Sequence, residues 1–267
     1  MNKQYTMLIK REFWEHRSLW IAPLAVAAFF VLASCLGALM ASSPIDYHGR
    51  FQFGPPGTSP ILAGMASVAS PVYLVSAITC FVYLLDCLYA ERKDRSILFW
   101  KSLPVSDART VLVKYAVGMI IVPLAVFVLA LLAFVLIHFI LTLGVPAFAR
   151  INLHTGPGDW VDAITGTLGM LVATLLWYGP LGAWFMLVSV ASRRAPILMA
   201  FMPFVVLGIA ESMLFRSAHV WQFMGYRLRP QPDLMQAMAD PNMWLGLVAA
   251  AGMLYMVIRL RRYRDDT

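Results

Sequence analysis

The stretch YAVGMIIVPLAVFVLALLAFVLIHFILTL, residues 115–143, contains no Asp, Glu, Lys or Arg. A helix rises 1.5 Å per residue and a bilayer's hydrocarbon core is about 30 Å thick, so about 20 such residues cross it. This stretch is long enough to tilt or to protrude at one end. Five further apolar runs flank it, at about 19–41, 68–90, 163–191, 197–215 and 243–260. Gly179-Pro180 marks a kink in the fourth of the six spans. The fold expected is all-α: a membrane protein with six transmembrane helices.

Composition points the same way. Of the 267 residues 60% are hydrophobic and only 13% charged, and the mean hydropathy is +0.72. Soluble domains carry about 25% charged residues, and this chain has too few to cover so much apolar surface. The net charge of +7 does not indicate nucleic-acid binding, because the basic residues fall between apolar runs and form no basic, aromatic-interleaved face. Cys35, Cys80 and Cys87 lie inside apolar runs without C-x-x-C spacing. Neither a disulfide framework nor a metal site is expected from them. The first apolar run is too long for a signal-peptide core and follows a charged helix, so no cleavable leader is expected.

The basic residues orient the spans. With the N-terminus inside, sixteen of the 21 Lys and Arg residues fall on the cytoplasmic side. Only Arg50, Arg150, Arg216, Arg227 and Arg229 lie outside. This is the asymmetry of the positive-inside rule. A miscount by one span would put Arg259, Arg261, Arg262 and Arg264 outside. A multi-pass protein of the plasma membrane with both termini cytoplasmic is therefore expected. The chain reads as one membrane domain, 1–267, with outer loops at about 42–67, 145–162 and 216–242. The last carries Trp221, Phe223, Met224 and Tyr226 before Arg227 and Arg229, a composition suited to short helices in the outer interface.

Two inner segments carry mechanism. In KQYTMLIKREFWEHR, residues 3–17, Tyr5, Leu8, Ile9 and Phe13 share a helical face, while Met7, Glu12 and Trp14 break the pattern. The segment 1–18 is either an amphipathic helix on the cytoplasmic leaflet or a charged anchor for the first span. In LYAERKDRSILFWKSLPVSDARTVLVKY, residues 88–115, Ile97, Leu98, Phe99 and Trp100 stand between charges. They can sit in the interface or fill a groove on a cytoplasmic partner. Pro104 stops the helix, and Ser106 or Asp107 can cap the next one.

The series Glu91-Arg92, Arg95-Ser96, Ser102-Leu103-Pro104-Val105-Ser106 and Lys114 resembles the inner loop of type-2 ABC exporter permeases of bacteria. The six-span layout, the N-terminal amphipathic helix and the small outer helices before the last span resemble that family too. Arg95-Ser96 stands where the family usually has Gly-Thr, which suggests a distinct subgroup. The resemblance implies that residues 92–103, within a loop spanning 91–114, form a cytoplasmic coupling helix seated in a separate ATPase subunit. Arg92, Lys93, Arg95, Ile97, Leu98, Phe99, Trp100, Lys101 and Leu103 would then dock, and Glu91 and Pro104 would act as hinges. It further implies a second permease subunit, identical or different, and ATP with Mg held on the ATPase chain, with no cofactor on this one.

Absences agree with that division. No Gly-Lys dipeptide occurs, hence no P-loop, and neither G-x-S-x-G nor H-E-x-x-H is present. The chain is not expected to be an enzyme, and the energy source must be a partner or an ion gradient. A gradient-driven secondary transporter is the alternative, but its inverted repeat and paired broken helices are not evident. The intramembrane polar residues Asp86, Glu211 and His138 are the pathway candidates to weigh. Glu211 is the deepest, with Arg216 as the expected pairing partner.

Overall fold

The computed structural model describes residues 2–40, 59–94, 106–145, 156–229 and 234–263. The secondary structure among those residues is all helical, with no strand. A first helix, α1 (Asn2–Glu15), precedes α2 (Ser18–Met40) and α3 (Pro60–Asp86). After a break at Cys87 and Leu88 comes the short α4 (Tyr89–Lys93). Next are α5 (Asp107–Ala116), a π turn (Val117–Ile121) and α6 (Val122–Gly144), which continue one another. The remainder is α7 (Pro157–Ala191), α8 (Pro196–Leu214), α9 (His219–Leu228), α10 (Leu234–Ala239) and α11 (Pro241–Tyr263).

Six helical stretches are long and apolar enough to cross a membrane. They match the six runs expected, and the chain is a multi-pass membrane protein. Their outward faces are apolar: Phe29, Leu32 and Leu36 on α2, and Leu198, Val206 and Leu207 on α8, are all exposed. Lipid is the solvent in which such faces are stable.

Three expected boundaries move. The second span begins at Pro60 rather than near residue 68. Just inside it the small residues Ala63 and Gly64 dilute the apolar run, and Ile61, Ala63 and Met65 are all buried. Ser59 closes the helix start, its Oγ accepting from the Leu62 N–H (3.3 Å) and its carbonyl from Ala63 (3.0 Å). The fourth span likewise begins early, at Pro157, where the Asp159 carboxylate accepts from the Gly156 N–H at 2.8 Å. The third begins at Asp107 rather than Tyr115, with Ser106 as its N-cap: the Ser106 side chain accepts from the Arg109 N–H, as the sequence suggests.

The chain divides into two compact units. The unit built from Arg17–Thr79 and Val122–Leu171 packs α2 along α6. Gly144 allows that approach, since a Cβ there would stand 2.6 Å from the Ala38 methyl. Phe134 of α6 fills the space over Gly64, and His138 meets the Trp160 ring edge-on at 4.9 Å.

The other unit comprises Met1–His16, Cys80–Ile121 and Val172–Thr267. Trp177 is fully buried beside Ala173, Ala237 and Met243, with Leu176, Tyr178 and Leu234 around them. Its indole N–H donates to the Arg227 carbonyl at 2.9 Å, and the Arg227 guanidinium lies 4.5 Å from the ring centre. The short helices α9 and α10 occupy the stretch expected to carry them.

Candidate functional site

The Cys80–Ile121 unit carries a group of buried charges that the sequence scatters over 250 positions. Of the two acids on α1, Glu12 and Glu15, the helix turns Glu12 inward, leaving Met7 and Trp14 exposed. Glu12 is thus the most buried residue of α1, not an interruption of its pattern. Its Oε1 accepts from Arg11 Nη2 at 2.7 Å. Its Oε2 accepts from Lys114 Nζ and from the Tyr83 hydroxyl, both at 2.9 Å.

Lys114 sits in α5 between apolar neighbours and is wholly buried. Besides Glu12 it reaches Glu91 Oε1 at 3.2 Å. Glu91, on α4, also takes Arg11 Nη2 on Oε1 at 2.8 Å. Its other oxygen accepts from Arg261 Nη1 at 2.9 Å. Arg261, near the end of α11, uses its Nε for Asp107 Oδ1 at 3.1 Å. Three acids, Glu12, Glu91 and Asp107, therefore face three bases, Arg11, Lys114 and Arg261.

Charges removed from water are tolerated only when paired and hydrogen-bonded. Here the pairing is reciprocal, and the six charges come from four separate helices. Such a cluster fixes the mutual placement of α1, α4, α5 and the end of α11. On α1 itself, burial opposes the charged form of Arg11, but Glu12, Glu15 and Glu91 outweigh it and its pKa rises. Burial raises Glu15 despite Arg11, whose Nε lies 3.4 Å away. Burial also lowers His16, against the pull of Glu12. The His16 ring stands edge-on to Tyr83, 4.9 Å between centres.

Glu12, Glu15 and His16 place one ligand atom each within 4.8 Å of one another. Both Glu12 oxygens already accept hydrogen bonds, from Arg11 on one and from Lys114 and Tyr83 on the other, and two cations beside the carboxylate oppose a metal ion.

A second set of bonds holds the break between α3 and α4. The start of α4 leaves its first N–H groups without helical acceptors. Ser189 Oγ, buried on α7, accepts from Leu88 N–H (3.2 Å) and Tyr89 N–H (3.1 Å). Arg92 Nη2 returns the bond, donating to the Ser189 and Ser192 carbonyls at 2.6 and 2.9 Å. Those carbonyls belong to the end of α7, where a cation is favoured by the helix dipole. Tyr89 adds its hydroxyl to the Arg194 carbonyl at 3.0 Å.

The residues singled out from sequence fall as follows. Glu91 stands at the break below the second span, inside the charge cluster. Arg92, read as part of a docking rim, is committed inward to α7, because two carbonyls there lack helical donors. Lys93 is exposed. Arg95, Ile97, Leu98, Phe99, Trp100, Lys101, Leu103 and Pro104 lie outside the described residues. Asp86 is half-buried at the end of α3. Glu211 does not pair with Arg216. Its carboxylate accepts from Ser217 Oγ (2.6 Å) and from the His219 and Val220 N–H groups (both 2.8 Å). Ala218, the N-cap of α9, has no side-chain acceptor, and Glu211 supplies one from the preceding helix. The reading from sequence missed Glu12, Arg11, Tyr83, Ser189 and Arg261. Only Glu12 left a signal there, as an acid out of place on α1.

No family model, no curated protein and no solved structure matches this chain.

Proposed function

We propose that this chain is the membrane-spanning permease subunit of an ABC transporter, of the export type, powered by an ATP-binding subunit on a separate chain. Two permease subunits would form the pathway in a bacterial inner membrane, with both termini and residues 92–113 cytoplasmic. The distribution of Lys and Arg between the loops supports that orientation.

The observation that carries the reading is the anchorage of the segment below the second span. Glu91 ties it to α1, α5 and α11, and Arg92 ties it to the end of α7. A partner that pushes on residues 95–105 would then move several helices rather than bend a loop. The apolar group Ile97, Leu98, Phe99, Trp100 and Leu103, flanked by Lys93, Arg95 and Lys101, has the composition of a docking segment. A gradient-driven carrier would need an acid free to bind and release its coupling ion. Glu12 and Glu91, the buried acids among the described residues, are each held by two or more cations.

The test is copurification. Phe99→Ala and Trp100→Ala each remove an aromatic anchor, commonly worth about 2 kcal/mol or more. They are expected to release an ATPase subunit from the mild-detergent complex while the permease stays in the membrane, and Lys101→Ala to do much less. Normal copurification and transport in both aromatic variants would reduce the segment to an interfacial anchor and remove the case for an ABC permease.

A further inference from the structure

Glu91 and Asp107 stand at the two ends of the segment that the preceding reading assigns to partner docking, and one side chain touches both. Arg261 is 4% exposed and uses separate nitrogens: Nη1 to Glu91 Oε2 at 2.9 Å and Nε to Asp107 Oδ1 at 3.1 Å. Nothing in the sequence relates position 261 to this segment, 154 and 170 residues away. We propose that Arg261 is a positioning residue that clasps the two ends of the 91–107 segment together and ties them to the last span.

The geometry requires arginine. A guanidinium is planar and rigid, so fixing one nitrogen on Glu91 fixes where the other can meet Asp107. A lysine ammonium is a point donor on a flexible stem and cannot hold two carboxylates at that separation with the same restraint. Glu91 keeps Arg11 and Lys114 when Arg261 is removed, so the charge cluster survives in part. Among the described residues Asp107 pairs with no other cation, and its side chain is 28% exposed, which makes it the arm that lets go. Any motion that parts Glu91 from Asp107 must break one arm of Arg261 or carry the end of α11 with it. The clasp thereby couples the width of the segment's base to the position of the last span.

The clasp is testable without any partner, so its failure is separable from failure of the permease reading, on which only its consequence for transport rests. Spin labels at Asp94→Cys and Arg109→Cys, in full-length protein lacking Cys35, Cys80 and Cys87, report the distance across the base. The parent is expected to give one narrow distribution in detergent. Asp107→Asn, Arg261→Lys and Arg261→Ala should each broaden it, and Asp107→Glu should restore it. Asp107→Asn guards against misfolding, because its site is partly exposed and its melting temperature should stay near the parent's. A narrow, unshifted distribution in Asp107→Asn and Arg261→Lys would overturn the clasp, as would equal broadening from Arg262→Lys. In the assembled transporter, Arg261→Lys should lower the amount transported per ATP hydrolysed several-fold while hydrolysis continues. An unchanged ratio there would overturn the coupling role.

Discussion

Glu91 and Arg92 are neighbours in sequence with side chains committed to opposite partners. Glu91 gathers three cations from α1, α5 and α11, whereas Arg92 fills the open carbonyls of Ser189 and Ser192 at the end of α7. The pair therefore joins two parts of the helical framework at one point of the backbone.

Unequal losses are expected from the two positions. Glu91→Ala leaves Arg261 and Lys114 buried with fewer counter-charges, a change that commonly costs about 3–5 kcal/mol. Arg92→Ala removes two charge-assisted bonds to carbonyls at a half-exposed site and should cost about 1–3 kcal/mol. Thermal unfolding in one detergent orders the two variants. Arg92→Ala as damaging as Glu91→Ala would contradict the burial of Glu91.

Lys114 and Glu12 should behave as a unit. Lys114→Met leaves the buried Glu12 with Arg11 but without its second cation and weakens Glu91, and a loss of about 3–5 kcal/mol is expected. Adding Glu12→Gln should restore part of it, since a neutral amide needs no counter-charge and still accepts from Tyr83. A double-mutant cycle measures the coupling. Additive losses would mean that the two side chains act independently.

His16 makes stability sensitive to acid. Burial, the largest influence, holds its pKa below the ordinary 6.5, although Glu12 pulls the other way. As pH falls through 6.5 the unfolded chain takes up a proton before the native protein does, so stability drops on acidification. Glu15 has the opposite sign, its raised pKa favouring the folded form only as pH approaches 4.5. Between pH 7.5 and 5.5 the wild type should therefore lose more of its melting temperature than His16→Gln does. Parallel losses would assign the acid sensitivity elsewhere.

Glu211 is expected to hold a helix end. Glu211→Ala removes the acceptor for the His219 and Val220 N–H groups and should cost about 1 kcal/mol, as lost N-caps do. The loss should be local. Hydrogen exchange ought to quicken at residues 219–222 and leave the Glu12–Lys114 cluster untouched, and protection unchanged at α9 would refute the cap.

Six spans were legible because each is a long apolar run, and such runs have one stable environment. Their starts were less so: Gly64 weakens the apolar signal near the start of the second span, where the Phe134 ring packs over it. The Ser106 cap and the short helices α9 and α10 were readable from local chemistry. The charge cluster was not, because most of its bonds join residues 71 to 170 positions apart and each charged member alone resembles a surface charge. Ser189 was harder still. Its task is set by a break in another helix, 100 residues away, that leaves no mark in its own neighbourhood.

The order of synthesis gives the Arg261 contact a temporal meaning. Glu12, Glu91 and Lys114 all leave the ribosome long before residue 261, so a nascent chain holds its acids with one of their cations still to come. The cluster becomes neutral only when the last span arrives. A chain stalled or cut between Lys114 and Arg261 would keep an unbalanced acid among its helices, a defect that a membrane quality-control protease can distinguish from the finished protein. Pulse-labelled chains ending at residue 258 should accordingly be cleared faster than full-length ones, and Glu91→Gln should lengthen their lifetime.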